Sequence, residues 1–166
     1  MRVFNSLTAF ADHLATTVIS ENIALRRGLE KAAILIEKSA KDEMGWLQPQ
    51  VGPFVEWASL TEQTMYEKER LGYVFNDDYN PLIRTGELKD SISHEIHDLE
   101  AVVGSTSDIM PYHEFGTATI PPRPVIGPAA FKNKDAIMKL IGESAIEGFA
   151  GGKAVTKLFG YDMDIK

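Results

Sequence analysis

The proline-rich run at residues 120–128 constrains the fold more than any other stretch of the chain. Pro121, Pro122 and Pro124 fall within four residues. Proline fixes φ near −65° and has no N–H to donate, so this run predicts an extended or polyproline-like backbone rather than a continuous helix or a central strand. Pro128 opens the apolar periodic stretch that follows, where its fixed φ suits a first helical turn. We therefore expect a stiff loop that leads directly into a helix.

The composition limits the class of protein. The chain has 166 residues, of which 44% are hydrophobic and 25% charged, which is typical of one globular domain. It has no window of about 18 uncharged apolar residues, and its N-terminal segment has polar residues where a signal peptide is apolar. We expect a soluble protein that is not secreted.

Charge and cysteine content exclude several functions. The net charge of −7 argues against a nucleic-acid clamp, because such binding depends on Lys and Arg that neutralise phosphates. The chain has no cysteine, which excludes disulfides, cysteine-ligated zinc and thiol catalysis.

Two helices are predicted in the N-terminal region, residues 5–44. Ser6 or Asn5 can cap a short first helix. The β-branched run 16–19 weakens a helix, and Ser20 can cap a longer second helix, which Gly45 ends. The apolar stripes are formed by Leu7, Phe10, Ala11 and Leu14 in the first helix, and by Leu25, Leu29, Ala32, Ile36 and Ala40 in the second.

A connection containing one short helix is predicted to follow, over residues 46–81. Thr61 can cap a helix from Glu62 onward, and Gly72 supplies its C-terminal stop. Further on, Thr85 is placed to cap a single helical turn.

We interpret the aromatic and acidic side chains of this connection as structural rather than as parts of a ligand site. Trp46 and Trp57 are expected to pack into the core rather than to stack on a ligand. Asp77 and Asp78 have no matched partner in the sequence, and we interpret them as part of a solvated turn.

An antiparallel hairpin is predicted next. Residues 91–96 alternate with the period of a half-buried strand, residues 97–100 form a turn, and residues 101–104 return as the second strand. The inward face of the first strand consists of Ile92, His94 and Ile96.

The C-terminal part is predicted to be one helix from Pro128 to Phe149. Gly151 and Gly152 close it. Its apolar face consists of Phe131, Met138, Ile141, Ala145 and Phe149.

The predicted fold class is α+β, with a small hairpin-based antiparallel sheet packed against a long N-terminal helix and a C-terminal helix. We expect one domain over residues 1–152, made of the helical region 5–44, the sheet and proline loop 82–127, and the helix 128–149. Residues 153–166 are expected to be a tail or interaction arm.

No constellation for catalysis, cofactor binding or metal binding is evident. His94 and His97 lie three apart, which places them on opposite faces of a strand. His113 and Glu114 have no second pair at ligand spacing. The glycines form no GxGxxG, GxxxxGK[ST] or GxSxG motif. We therefore predict no catalytic residue, no cofactor and no metal.

Three segments in the second half share their order and spacing with one known family. Residues 82–92 match a TGxL(K/R)xSI turn and strand, residues 112–117 a Y…H/E-x-G-T segment, and residues 120–127 an iPxRPhhg segment. Over residues 81–149 the chain thus resembles the bacteriophage virion-morphogenesis, or tail-completion, proteins, and its helix at 23–44 agrees in position and character.

The resemblance implies a structural virion protein of the phage neck, where the head meets the tail. Such proteins are similar in combining a small antiparallel sheet with helices and in forming rings, six-fold by expectation, around the DNA channel. The implied partners are further copies of this chain, other neck and portal-adaptor proteins, and tail-terminator or tail-tube proteins. DNA would pass through without sequence-specific binding, and no catalysis or membrane is implied. The implied location is the virion neck, with the host cytoplasm as the place of assembly.

Two other roles remain open. The chain can be a minor tail or head-completion adaptor of another tier, or a host cytoplasmic module that binds proteins. If copies of the chain form a ring, an acidic lumen would let DNA slide, because carboxylates do not hold phosphates.

The surface between copies is expected to use the proline loop, the segment before it and the tail. A stiff loop loses little conformational entropy on docking. Arg123 can pair with a carboxylate of a neighbouring copy or with a partner in its own chain. The predicted interface residues are Tyr112, His113, Phe115, Pro121, Pro122, Arg123, Pro124, Leu158, Phe159 and Tyr161.

Overall fold

The computed structural model describes residues 5–150 and shows an α+β fold. The chain has a long N-terminal helix, a small sheet of two antiparallel strands, and a C-terminal helix. The predicted fold class is therefore confirmed. In chain order, the elements are α1 (Leu7–Glu43), α2 (Glu62–Arg70), α3 (Glu87–Asp90), β1 (Ile92–His97), β2 (Glu100–Ser105), α4 (Met110–Phe115), α5 (Ile126–Lys132) and α6 (Lys134–Ala150).

Helix α1 is continuous, so the prediction of two helices in this region is wrong. Ser6 caps its start as expected, because the Ser6 Oγ accepts a hydrogen bond from the N–H of Ala9 at 3.1 Å. The β-branched run does not break the helix, since the Thr16 and Thr17 hydroxyls donate to carbonyls one turn earlier, at 2.8 and 2.9 Å. Each hydroxyl is thus satisfied within the helix. Ser20 lies in the helix interior and caps nothing.

The end of α1 follows the prediction. Gly45 adopts φ 97°, the left-handed conformation that suits glycine after a helix. Its N–H donates to the Pro81 carbonyl at 2.9 Å, which fixes the exit of the helix.

The described residues divide into two compact units. The first contains residues 5–32, 96–101 and 136–150, and the second contains residues 33–95 and 102–135. The single domain stays a prediction, and the tail lies outside the described residues.

The first unit brings α6 very close to the N-terminal part of α1. A Cβ added at Gly28 would lie 2.5 Å from the Ser144 Oγ, and one added at Gly148 would lie 2.6 Å from the Cα of Glu21. Such distances are possible only because these two positions are glycines. Small residues therefore set the separation of the two helices.

The second unit contains a cluster of buried hydrophobic residues. Trp57 is buried there, as predicted, whereas Trp46 is 56% exposed, so the prediction that Trp46 packs into the core is wrong. The cluster consists of Ala40, Met44, Trp57, Ile92, Met110, Val125 and Ala129, with Ile36, Leu47, Leu82, Ile83 and Leu88 packed around it.

Two short helices separate α1 from the hairpin. Thr61 caps α2 as predicted, because the Thr61 hydroxyl accepts a hydrogen bond from the N–H of Thr64. Thr85 does not occupy the N-cap position of α3, although its hydroxyl accepts a long hydrogen bond from the N–H of Glu87 at 3.5 Å. The N-cap position belongs to Gly86, whose φ of 97° is left-handed.

The polar loop before α3 is attached to the rest of the unit. Asp78 accepts a hydrogen bond from the N–H of Leu47 at 2.9 Å, and the Asn76 side chain donates to the Gly45 carbonyl at 2.6 Å. Asp77 is exposed, as a solvated turn requires, but Asp78 is not free in solvent. The solvated-turn interpretation is wrong for Asp78, which ties the loop to the end of α1.

The hairpin of β1 and β2 agrees with the predicted register. Ile92 is buried, His94 and Ile96 are half-buried, and the residues between them are exposed. His94 Nδ1 lies 2.5 Å from the Glu37 carboxylate, which Lys41 also contacts at 2.6 Å. These hydrogen bonds from Lys41 and His94 lower the pKa of Glu37. The inward histidine thus has a carboxylate partner.

The C-terminal helix is interrupted, so the prediction of one helix from Pro128 to Phe149 is wrong. Asn133 separates α5 from α6, because its side-chain amide donates to the Ala129 carbonyl at 2.8 Å and ends the first helix. The predicted apolar face is also partly wrong. Ile141 and Ala145 are half-buried, but the remaining members are exposed: Phe131, Met138 and Phe149.

Candidate functional site

The proline loop, residues 116–125, is fastened to the interior of the second unit by Arg123 and Trp57. The Arg123 Nη2 donates to the carbonyls of Ala58 and Ser59, at 2.9 and 3.4 Å. The Trp57 indole donates to the Pro124 carbonyl at 3.0 Å. Of the two roles considered for Arg123, the structure shows an intrachain one, in which its partners are backbone carbonyls rather than a carboxylate.

Glu114 holds the start of α5, a role that the sequence did not reveal. Its Oε2 accepts hydrogen bonds from the N–H groups of Val125 and Ile126 at 2.7 and 3.4 Å, and its Oε1 accepts from Gly127 at 3.1 Å. The first N–H groups of a helix have no partner within the helix, and a carboxylate there also interacts favourably with the helix dipole. Glu114 therefore joins the segment before the loop to the helix after it.

A left-handed glycine and two hydrogen bonds define the turn at the start of the loop. Gly116 adopts φ 73°, and a Cβ there would lie 2.9 Å from the Ile120 carbonyl oxygen. The Thr117 N–H donates to that same carbonyl at 2.8 Å, and the Thr117 hydroxyl accepts from the N–H of Ile120 at 3.0 Å. Together with the prolines, these bonds define the backbone of the loop.

The predicted interface residues separate into four groups. Tyr112 and Phe115 on α4 are 55% and 79% exposed, and Pro121 is also exposed. His113 and Pro122 are half-buried, whereas Arg123 and Pro124 lie in the interior. The remaining three, Leu158, Phe159 and Tyr161, lie outside the described residues. The interface itself stays a prediction, and its exposed candidates surround an anchored loop.

His113 on α4 is half-buried and is not held by its neighbour Glu114. Within residues 5–150 its Nδ1 is buried and has no hydrogen-bond partner. Burial, and then the positive charge of Arg123, lower the pKa of His113, so the imidazole is neutral near pH 7. Glu114, the neighbouring acid, is occupied by α5. Among the same residues, no three His, Cys, Asp or Glu side chains lie close enough together to hold a metal ion.

An open cleft of about 910 Å³ lies in the second unit. We call it the basic cleft, because its charged side chains are Lys68, Arg84 and Arg123 with a single acid, Glu87. In the described part of the chain, none of the three cations is ion-paired with a carboxylate. Sequence reasoning missed this cleft, because its cations lie far apart along the chain and follow no common spacing.

The first unit presents an apolar surface of a different kind. Leu7, Phe10, Leu14 and Val18 recur at intervals of three and four along α1, so they share one side of the helix. All four are exposed, and Leu7 is 83% exposed. We call this set the α1 stripe. Its first three members belong to the apolar face that the sequence predicts.

Comparisons with known proteins add no relative. No family model, no curated protein and no solved structure matches this chain. The resemblance to the tail-completion proteins therefore rests on its three segments alone. The helices of the described region lack the combination of length and apolar character that crossing a bilayer requires.

Proposed function

We propose that this chain is a structural protein of a phage neck, which joins head to tail as one copy in a homo-oligomeric ring around the DNA channel. The α1 stripe is the observation that carries the proposal. Large exposed apolar surfaces on a protein usually mark a site of association, and here one long helix exposes four large apolar side chains in a row.

The proposed virion location is supported by the resemblance of residues 82–92, 112–117 and 120–127. An assembled ring also requires edges that dock in one geometry. The proline loop meets this requirement, because its backbone is anchored through Arg123 and Glu114 before any partner is present. A preorganised edge loses less entropy on docking.

The acidic balance of the chain suits a channel for DNA. A net charge of −7 gives little affinity for phosphates. We propose that Asp and Glu line the lumen. A ring structure with a neutral or basic bore would refute this part.

A charge placed on the α1 stripe tests the assembly. We expect wild-type protein to elute as a ring in size-exclusion chromatography with light scattering, and Leu14→Glu to elute as smaller species, because a buried unpaired carboxylate opposes association. Ala9→Glu is the matched control. Ala9 is exposed on another side of the same helix, so this variant should still form the ring.

Electron microscopy tests the location. An antibody against this protein should label the head–tail joint of negatively stained particles. A label on tail fibres or on no particle would refute the neck assignment, and a ring that survives Leu14→Glu would refute the role of the α1 stripe.

A further inference from the structure

We propose that the basic cleft binds an acidic peptide segment of a protein partner, with Lys68, Arg84 and Arg123 facing its carboxylates. The proposal goes beyond the neck assignment and does not depend on it, because any assembly that supplies such a segment satisfies it. The argument rests on unpaired charge, remaining hydrogen-bond donors and the apolar lining.

Unpaired positive charge is the first observation. A chain with a net charge of −7 places three cations and one acid around this cleft. Lys68 is held by the carbonyls of Asn80 and Ile83, at 2.7 and 2.6 Å, and not by a carboxylate. Burial and then the charge of Arg84 lower the pKa of Lys68. The cations thus disfavour one another, and an anion in the cleft would relieve that repulsion.

Free donors are the second observation. An ammonium group has three N–H bonds, and Lys68 uses two of them for the carbonyls, so one remains. The Arg84 guanidinium lies 5.3 Å from the centre of the Tyr73 ring and makes no hydrogen bond or ion pair within residues 5–150. Arg123 is 7% exposed, its Nε has no partner among those residues, and no carboxylate there forms an ion pair with its guanidinium.

The lining favours a peptide over a small anion or a nucleic acid. Leu60, Ile109 and Ile120 lie beside the cations, so acidic and apolar side chains can be accommodated together. The volume is near the upper end of the range of about 300–1,000 Å³ for ligand sites. The Tyr73 ring is covered by Arg84 and offers that face to no nucleic-acid base.

Fluorescence anisotropy tests the proposal with the full chain. The probe is a fluorescein-labelled peptide of repeating Glu-Leu-Asp-Gly, titrated with protein at low ionic strength. We expect saturable binding that weakens as salt is added, because exposed charges are screened. The Arg84→Glu variant should bind at least about fivefold more weakly, since attraction becomes repulsion. Arg84 is exposed, so this variant should fold normally.

Arg70→Glu is the matched control. It makes the same change in net charge at an exposed arginine that does not line the cleft, and it should bind as the wild type does. A lysine–leucine peptide of equal length and a single-stranded oligothymidylate are titrated in parallel. The proposal is overturned if the lysine peptide or the oligonucleotide binds as tightly as the acidic peptide. It is equally overturned if Arg84→Glu and Arg70→Glu have the same effect.

Discussion

Gly28 and Gly142 both lie in helices, but we expect their substitution by alanine to affect stability differently. The comparison of the two variants tests the packing of α1 on α6. A Cβ at Gly28 would lie 2.5 Å from the Ser144 Oγ and 2.7 Å from the Ser144 Cβ, whereas a Cβ at Gly142 has no heavy atom within 4 Å. The Ser144 Cβ belongs to the backbone frame of α6 and cannot rotate away. Alanine at Gly28 must therefore push the two helices apart.

The two substitutions should change the free energy of unfolding by different amounts and in different directions. In a helix interior, glycine is about 1 kcal/mol less favourable than alanine, so Gly142→Ala should stabilise by up to about 1 kcal/mol. Overpacking costs about 1–3 kcal/mol, so Gly28→Ala should range from neutral to about 2 kcal/mol destabilising. For a chain of this size, each kcal/mol corresponds to about 2–4 °C in melting temperature.

Urea unfolding followed by circular dichroism at 222 nm measures both variants at one protein concentration, since assembly also changes stability. The double variant Gly28→Ala/Ser144→Gly removes the atoms that the new methyl group meets, so it should regain the stability lost to overpacking. A double-mutant cycle measures this coupling between the two positions. If the two alanine variants stabilise equally and the cycle shows no coupling, then α1 and α6 do not pack through Gly28 as described.

Two further predictions concern the segment before the proline loop. Glu114→Ala should lower the free energy of unfolding by about 1.5–3 kcal/mol, because three N–H groups at the start of α5 lose a charged acceptor. Urea titrations measure this change, and the exposed control Glu67→Ala should alter the free energy of unfolding by no more than about 0.5 kcal/mol. Equal effects of the two substitutions would contradict the capping role of Glu114. The folded-state pKa of His113 lies below its ordinary value of 6.5, so the unfolded chain takes up the proton first and stability should fall as pH drops below about 6.5. His113→Gln should remove that part of the pH dependence between about pH 7.5 and 5.5, and parallel profiles for the two proteins would rule it out.

Local patterns in the sequence predicted the elements whose causes are local. The hairpin follows from alternation over a few residues, the cap of α2 from Thr61, and the end of α1 from Gly45. The failures at the run 16–19 and at Asn133 arise at equally short range. Whether Thr16 and Thr17 satisfy their hydroxyls inside a helix, or Asn133 bonds the preceding turn, depends on side-chain geometry that residue type alone does not specify.

The site was less predictable, because its contacts connect distant parts of the chain. Arg123 and its carbonyl partners Ala58 and Ser59 are 65 and 64 residues apart. Glu114 reaches α5 across the whole proline loop. The sequence identifies Arg123 as a candidate interface residue and gives Glu114 no role, and only the fold shows that both side chains bind groups within the chain.

This inward use of polar groups bears on which surface can dock. Arg123 and Glu114 are the charged side chains of the loop region that look most suited to a partner, and both are engaged within the chain. Apart from the cations of the basic cleft, the larger side chains that α4 and the proline loop expose to a partner are apolar or aromatic, as at Tyr112, Phe115 and Pro121. Because the polar contacts fix the backbone in advance, these exposed side chains are held in place before association. Binding therefore does not have to include the entropic cost of ordering the loop. A surface held in one geometry in this way is what the proposed ring of identical copies would require.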